Sequence, residues 1–174
     1  VGQYIPFGLL PDGELIDPFS AKRGLACDCV CPGCRKPLVA EQGEIRVHHF
    51  SHAADSNCSN GQTTALLMAA KQVLQREKRT VVPPLMVTVE REVRPAFKKR
   101  KTLGADQPPW HFEAVQLERT ITGHRADVYG TFGDGGVGLV DFKISRGVPA
   151  EKASAYREAN LPALEIDLSK MLGE

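Results

Sequence analysis

Gly133-Asp134-Gly135-Gly136 constrains this chain more than any other stretch, because it lies between two runs of β-forming residues. Ala126 to Phe132 is rich in β-formers, and Val137 to Ile144 is apolar with β-branched residues. The glycines supply the left-handed conformations that a tight reversal needs, so the whole segment reads as a β-hairpin. Within its second strand Val140, Phe142 and Ile144 share one face, which leaves Asp141 and Lys143 on the other.

The reversal also locates Asp127. A loop of three or five residues centred on Asp134 sets Asp127 opposite Asp141, with Cβ atoms roughly 5 Å apart. Two carboxylates that close on a largely buried sheet repel one another and lose solvation unless a proton or a metal ion compensates. With Lys143 beside them, the expected occupant is a hard divalent cation, Mg²⁺ or Mn²⁺.

A second constraint lies upstream. All five cysteines fall within the first 60 residues, an odd number that suits a metal site in a reducing compartment better than a disulfide framework. Cys31-Pro32-Gly33-Cys34 has the spacing and turn chemistry of a metal knuckle, since a tight turn lets two thiolates face one tetrahedral ion. His52 and Cys58 are expected to complete the site, with His49 as the rival to either. Cys27 and Cys29 are read as nearby spare thiols, either of which could replace Cys58. Four ligands of this type imply a closed structural Zn²⁺ site, holding together a region too small to fold on its apolar surface.

In chain order, residues 1–26 contain a short hairpin turning at Pro11-Asp12-Gly13. Residues 1–60 form the zinc-binding module, with a polar boundary from Asp55 to Gln62. The best helix follows from Thr63, which is placed as its N-cap, with Leu66, Ala70, Val73 and Leu74 at helical spacing. Pro83-Pro84 stops it, Leu85 to Val93 alternates as a strand, and residues 94–111 read as an exposed excursion. Glu113 to Thr122 alternates again and turns at Thr122-Gly123 into the hairpin. A helix from about Ala150 to Ala159 places Lys152 and Tyr156 four apart on one face, and Leu161 to Leu168 closes the chain as a strand.

The charge is nearly balanced at +1, so nucleic-acid affinity must come from local patches. The clearest is Lys98-Lys99-Arg100-Lys101, with Arg91 and Arg94 before it and Trp110 and Phe112 after it. No apolar run approaches the roughly 20 residues of a membrane span, and the start lacks a charged-then-apolar leader, so a cytoplasmic protein is expected.

Helix, strands, hairpin, helix and strand, with one acid on the first hairpin strand and Asp-x-Lys on the second, resembles the PD-(D/E)XK nuclease superfamily. More narrowly, the chain resembles the competence protein CoiA-like family. The residues that carry this are Cys31-Pro-Gly-Cys34 with His49-Phe50-Ser51-His52, the helix from Thr64-Ala-Leu through Ala-Ala-Lys71, and Arg125-Ala-Asp127 ahead of Asp141-Phe-Lys143. The resemblance implies an α+β chain: a small N-terminal zinc-knuckle module, then a restriction-endonuclease-like core over residues 61–174, a mixed sheet flanked by helices. Alanine stands before Asp127 where the superfamily has proline, and Thr63 stands at the helix position where such nucleases often carry a glutamate.

The function so implied is metal-dependent hydrolysis of DNA phosphodiesters. Asp127, Asp141 and Lys143 are the catalytic candidates, with Mg²⁺ or Mn²⁺ held by the two carboxylates and the backbone carbonyl of Phe142. Lys152 and Tyr156, with the basic run Lys98, Lys99, Arg100 and Lys101, are candidate nucleic-acid contacts. The alternative is a DNA-binding or partner-binding protein that keeps the fold without catalysis, which Thr63 favours and the intact Asp127, Asp141 and Lys143 disfavour.

Overall fold

The computed structural model describes residues 4–54, 56–94 and 97–172, with backbone alone at residues 85, 87–94 and 97–104. The architecture is α+β. No helix among the described residues is long and apolar enough to cross a membrane.

The N-terminal unit is built from very short pieces. Strands β1 (Gly8–Leu9) and β2 (Leu15–Ile16) pair antiparallel around the turn expected at Pro11-Asp12-Gly13. Strands β3 (Leu38–Glu41) and β4 (His49–His52) form a second hairpin. Ile5, Leu38, Ala40 and Phe50 pack with Cys27, Cys29 and Cys31 into one small core. Cys27 and Cys29 are not spare thiols here: they form a disulfide with Cα atoms 5.3 Å apart. A 3₁₀ turn over Leu25–Cys27 and a left-handed Asp28 (φ 50°) fold the backbone so that these side chains meet.

Helix α1 (Gly61–Glu77) joins this unit to the rest. Thr63 is not its N-cap. The helix begins three residues earlier, after Asn60, whose carbonyl accepts the Thr64 N–H at 2.9 Å. The start is closely packed: a Cβ on Gly61 would lie 3.0 Å from Cys31 Sγ, so any larger residue would crowd the sulfurs. Ala65 lies in the N-terminal core, and the Gln72 side chain bonds Gly13 and Leu15. The polar boundary thus gives way directly to a helix both units share.

Strand β5 (Arg79–Thr80) pairs with β8 (Trp110–His111). Between them the expected excursion over 94–111 is instead largely ordered as a hairpin of β6 (Leu85–Arg94) and β7 (Phe97–Ala105). Its register sets Glu90 opposite Arg100 and Glu92 opposite Lys98, while Lys99 lies opposite Arg91 and Lys101 opposite Val89, so a basic run that reads as loop belongs to a strand.

The core sheet runs β12-β11-β10-β9. Strands β9 (Ala114–Ile121), β10 (His124–Thr131) and β11 (Val137–Lys143) are antiparallel neighbours, and β12 (Ala163–Asp167) joins β11 in parallel after helix α2 (Ala150–Glu158). The sheet is therefore mixed. The hairpin closes with Thr131 opposite Val137, the five-residue option around Asp134.

Alternation in β11 divides the core. Val140 packs with Leu74 and Val128 on the α1 side, while Leu139 packs with Ala126 and Tyr156 on the α2 side. Of the expected α1 face, Leu66 and Leu74 are buried but Val73 is 47% exposed. Val73 lines an open apolar groove with Phe7, Leu66, Met171 and the sheet residues Phe142 and Ile166. Phe112 is buried against Gly130, where a Cβ would sit 2.1 Å from its ring, so this aromatic belongs to the core rather than to a nucleic-acid surface.

Candidate functional site

Two clusters bear chemistry. The first is built by the Cys31–Cys34 turn, the end of β4 and the approach to α1. Its ligand atoms come from Cys31, Cys34, His52 and Cys58, all within 4.8 Å of one another. Cys31 Sγ lies 3.8 Å from Cys58 Sγ, and Cys34 Sγ lies 3.2 Å from His52 Nε2. His49, the rival ligand, instead stacks on Tyr4 with ring centroids 4.3 Å apart. Burial pushes the Cys31 thiol up to about 11. Burial acts upward on Cys34 too, but the Lys36 backbone N–H and the His52 ring outweigh it and bring that thiol down to about 6. Three thiols and an imidazole at this spacing make a closed tetrahedral donor set suited to a structural metal such as zinc.

The second cluster lies where the β10–β11 ladder ends. The paired residues stop at Val128 and Val140, and beyond them side chains replace the ladder bonds. The Asp127 backbone N–H donates to Asp141 Oδ1 at 3.0 Å, and the Phe142 N–H donates to Asp127 Oδ2 at 2.9 Å. Among the described residues Asp141 is the buried charged side chain, 4% exposed. Lys152, from α2, donates to Asp141 Oδ1 at 2.8 Å and to the Arg125 carbonyl at 2.7 Å. From the opposite helix, Lys71 reaches Asp127 Oδ1 at 2.8 Å and also pairs with Glu118. Arg125 holds the other oxygen of Glu118 at 2.8 Å. Burial works against the charge on Lys71, but the Asp127 and Glu118 carboxylates more than offset it and raise its affinity for its proton.

Lys143 sits apart from this group. Its Nζ pairs with Asp167 Oδ2 at 2.9 Å, its lateral neighbour on β12. Tyr156 is 2% exposed, so it does not present its hydroxyl to solvent as a surface phosphate contact must. That hydroxyl is buried without a hydrogen-bond partner, and burial first, then the Asp141 and Asp127 charges, makes it harder to ionise. The side chains of Lys98, Lys99, Arg100 and Lys101 lie outside the described residues.

Glu118 and Lys71 are the members that sequence reasoning overlooked. Glu118 had a signal: the two-residue turn Thr122-Gly123, with φ of 50° and 78°, sets it across from Asp127 in the β9–β10 register. Lys71 had none beyond its place beside the apolar stripe of α1.

The oxygen donors of Asp127 and Asp141 are hard ligands of the kind Mg²⁺ takes, and the unpartnered Tyr156 hydroxyl supplies a further buried polar group close by. The three acids Asp127, Asp141 and Glu118 are matched by the three bases Lys71, Lys152 and Arg125, so a cation at Asp127 would have to displace Lys71.

Comparison with known proteins bears on the first cluster. Residues 21–61 match the family model for the N-terminal domain of competence protein CoiA, a span that contains Cys31, Cys34, His52 and Cys58. No curated protein and no solved structure matches the chain.

Proposed function

We propose that the chain is a divalent-metal-dependent deoxyribonuclease of the CoiA-like type, with a zinc-stabilised N-terminal module in front of a PD-(D/E)XK-like core. The observation that carries this reading is the reciprocal pairing of Asp127 and Asp141 across the open end of β10 and β11, with lysines on both flanks. Asp127, Asp141 and the Phe142 carbonyl would hold Mg²⁺ or Mn²⁺, which when bound supplies Lewis-acid neutralisation of charge on the phosphodiester.

The chain's own groups do the rest. Lys152 and the Asp127 amide both donate to the buried Asp141 carboxylate. Lys152 is thereby fixed beside the carboxylates, where its ammonium can meet a non-bridging phosphate oxygen. Lys143 rises from the same strand face as Asp141 and reaches substrate by exchanging Asp167 for phosphate, a modest cost for a half-exposed pair.

The N-terminal match to a competence-protein domain supports a nucleic-acid setting. The test is cleavage of supercoiled, linear and single-stranded DNA with Mg²⁺ or Mn²⁺, with EDTA and Asp141→Ala as controls. Cutting that survives both controls would overturn the assignment.

A second reading is a DNA-binding or partner-binding protein without catalysis. It is favoured by the complete pairing of the cluster by internal bases and by Thr63 within α1, where a helix acid is missing. Metal-independent DNA retention by wild type, with no cutting under any ion, would select it.

A further inference from the structure

We propose that Lys71 is an internal counter-ion that holds the cation position at Asp127, and that Glu118 is the receiver that takes Lys71 when a divalent cation binds. The inference rests on the reading of Asp127 and Asp141 as the cation site, and assigns its regulation to two residues on α1 and β9.

Lys71 touches both acids at once. Its Nζ is 2.8 Å from Asp127 Oδ1 and is also paired with Glu118, and the side chain is only 13% exposed. A divalent ion and an ammonium cannot share one carboxylate oxygen at bonding distance without strong repulsion. Occupation of Asp127 by a divalent ion therefore requires Lys71 to leave it, and a buried ammonium leaves cheaply only if another anion is within reach. Glu118 is that anion, already bonded to Lys71 and fixed from the far side by Arg125 at 2.8 Å.

The backbone is shaped for this contact. Glu118 has φ of 57°, and the β9–β10 ladder pairs residues on either side of Glu118 and Asp127 but not these two. The strained residue turns its carboxylate toward the helix lysine rather than along the ladder. Lys152, by contrast, bonds Asp141 Oδ1 together with the Asp127 amide and has the Arg125 carbonyl as its second anchor, so it can stay in place throughout.

Mn²⁺ binding to the full chain, read by the loss of the free-ion electron paramagnetic resonance signal, tests this. EDTA-treated and zinc-reloaded protein is used throughout. Lys71→Met should bind Mn²⁺ on the order of 10-fold or more tightly than wild type, whereas Arg76→Gln, the same charge change on the exposed side of α1, should leave affinity unchanged. Glu118→Gln, which leaves Lys71 with Asp127 alone, should weaken binding several-fold, and it reads the same linkage if Lys71→Met does not fold. In the Lys71→Met background Glu118→Gln should have little effect.

Equal affinity of wild type and Lys71→Met, with binding still abolished by Asp127→Asn, overturns the lysine's role while the cation site stands. Absence of Mn²⁺ binding in wild type and in Lys71→Met alike overturns both the inference and the cation reading beneath it.

Discussion

Asp127 and Asp141 each hold the other's strand: Asp141 Oδ1 accepts the Asp127 N–H at 3.0 Å, and Asp127 Oδ2 accepts the Phe142 N–H at 2.9 Å. The carboxylates are thus structural at the end of the ladder as well as candidates for chemistry. Asp141→Ala removes the acceptor for one amide and leaves Lys152 without its buried anion. It should cost about 2–4 kcal/mol in urea unfolding, and Lys152→Met in the same background should recover part of that loss.

Removing the metal from the N-terminal cluster should melt the unit around it first. Its strands are two to four residues long, and its core is the small set around Phe50 and Ile5. Elemental analysis should find one zinc per chain, and Cys34→Ser should lower it sharply. Hydrogen exchange should then show the first turns of α1 losing protection, because Gly61 rests on the Cys31 and Cys58 sulfurs. Full retention of zinc by Cys34→Ser would exclude this ligand set.

Tyr156→Phe should stabilise the protein by about 1 kcal/mol, since it deletes a buried hydroxyl that bonds nothing. A pH dependence follows as well. The folded state holds the Tyr156 and Lys71 protons more tightly than the unfolded chain does. Their contribution is therefore fully present below the ordinary values, about 10 for both, and falls as pH rises beyond them. Thermal melts between pH 9 and 11 should show a steeper alkaline loss in wild type than in Tyr156→Phe.

Lys143 and Lys152 should separate in kinetics. Lys143→Met breaks only an exposed pair with Asp167, so its melting temperature should stay near wild type. Lys152→Met leaves Asp141 buried and unpaired and should lower melting temperature together with DNA cleavage. If Lys143→Met leaves cleavage intact, the catalytic ammonium is Lys152 rather than Lys143.

Gly130→Ala should be severely destabilising, by about 2–3 kcal/mol or more, because its methyl would sit 2.1 Å from the Phe112 ring with no room on the sheet face. Phe112→Leu in the same chain should relieve part of the loss in chemical denaturation.

Much of this molecule was written locally. The turn at Gly133 to Gly136 determined the register that sets Asp127 across from Asp141, because loop length and turn geometry fix the pairing of a hairpin. The Cys31–Cys34 turn marked half of the metal cluster, whereas the structure decided for His52 and Cys58 over His49, Cys27 and Cys29. Tertiary structure decided what no local pattern carries. It seated α1 on the sulfurs, with the helix beginning at Gly61 rather than after Thr63. It turned Lys143 toward Asp167 through the parallel pairing of β11 with β12. It also brought Lys71 and Lys152 from two helices to opposite flanks of one carboxylate pair. Periodicity along a chain specifies faces and registers, whereas the partner of a long charged side chain depends on which elements the core packs beside it.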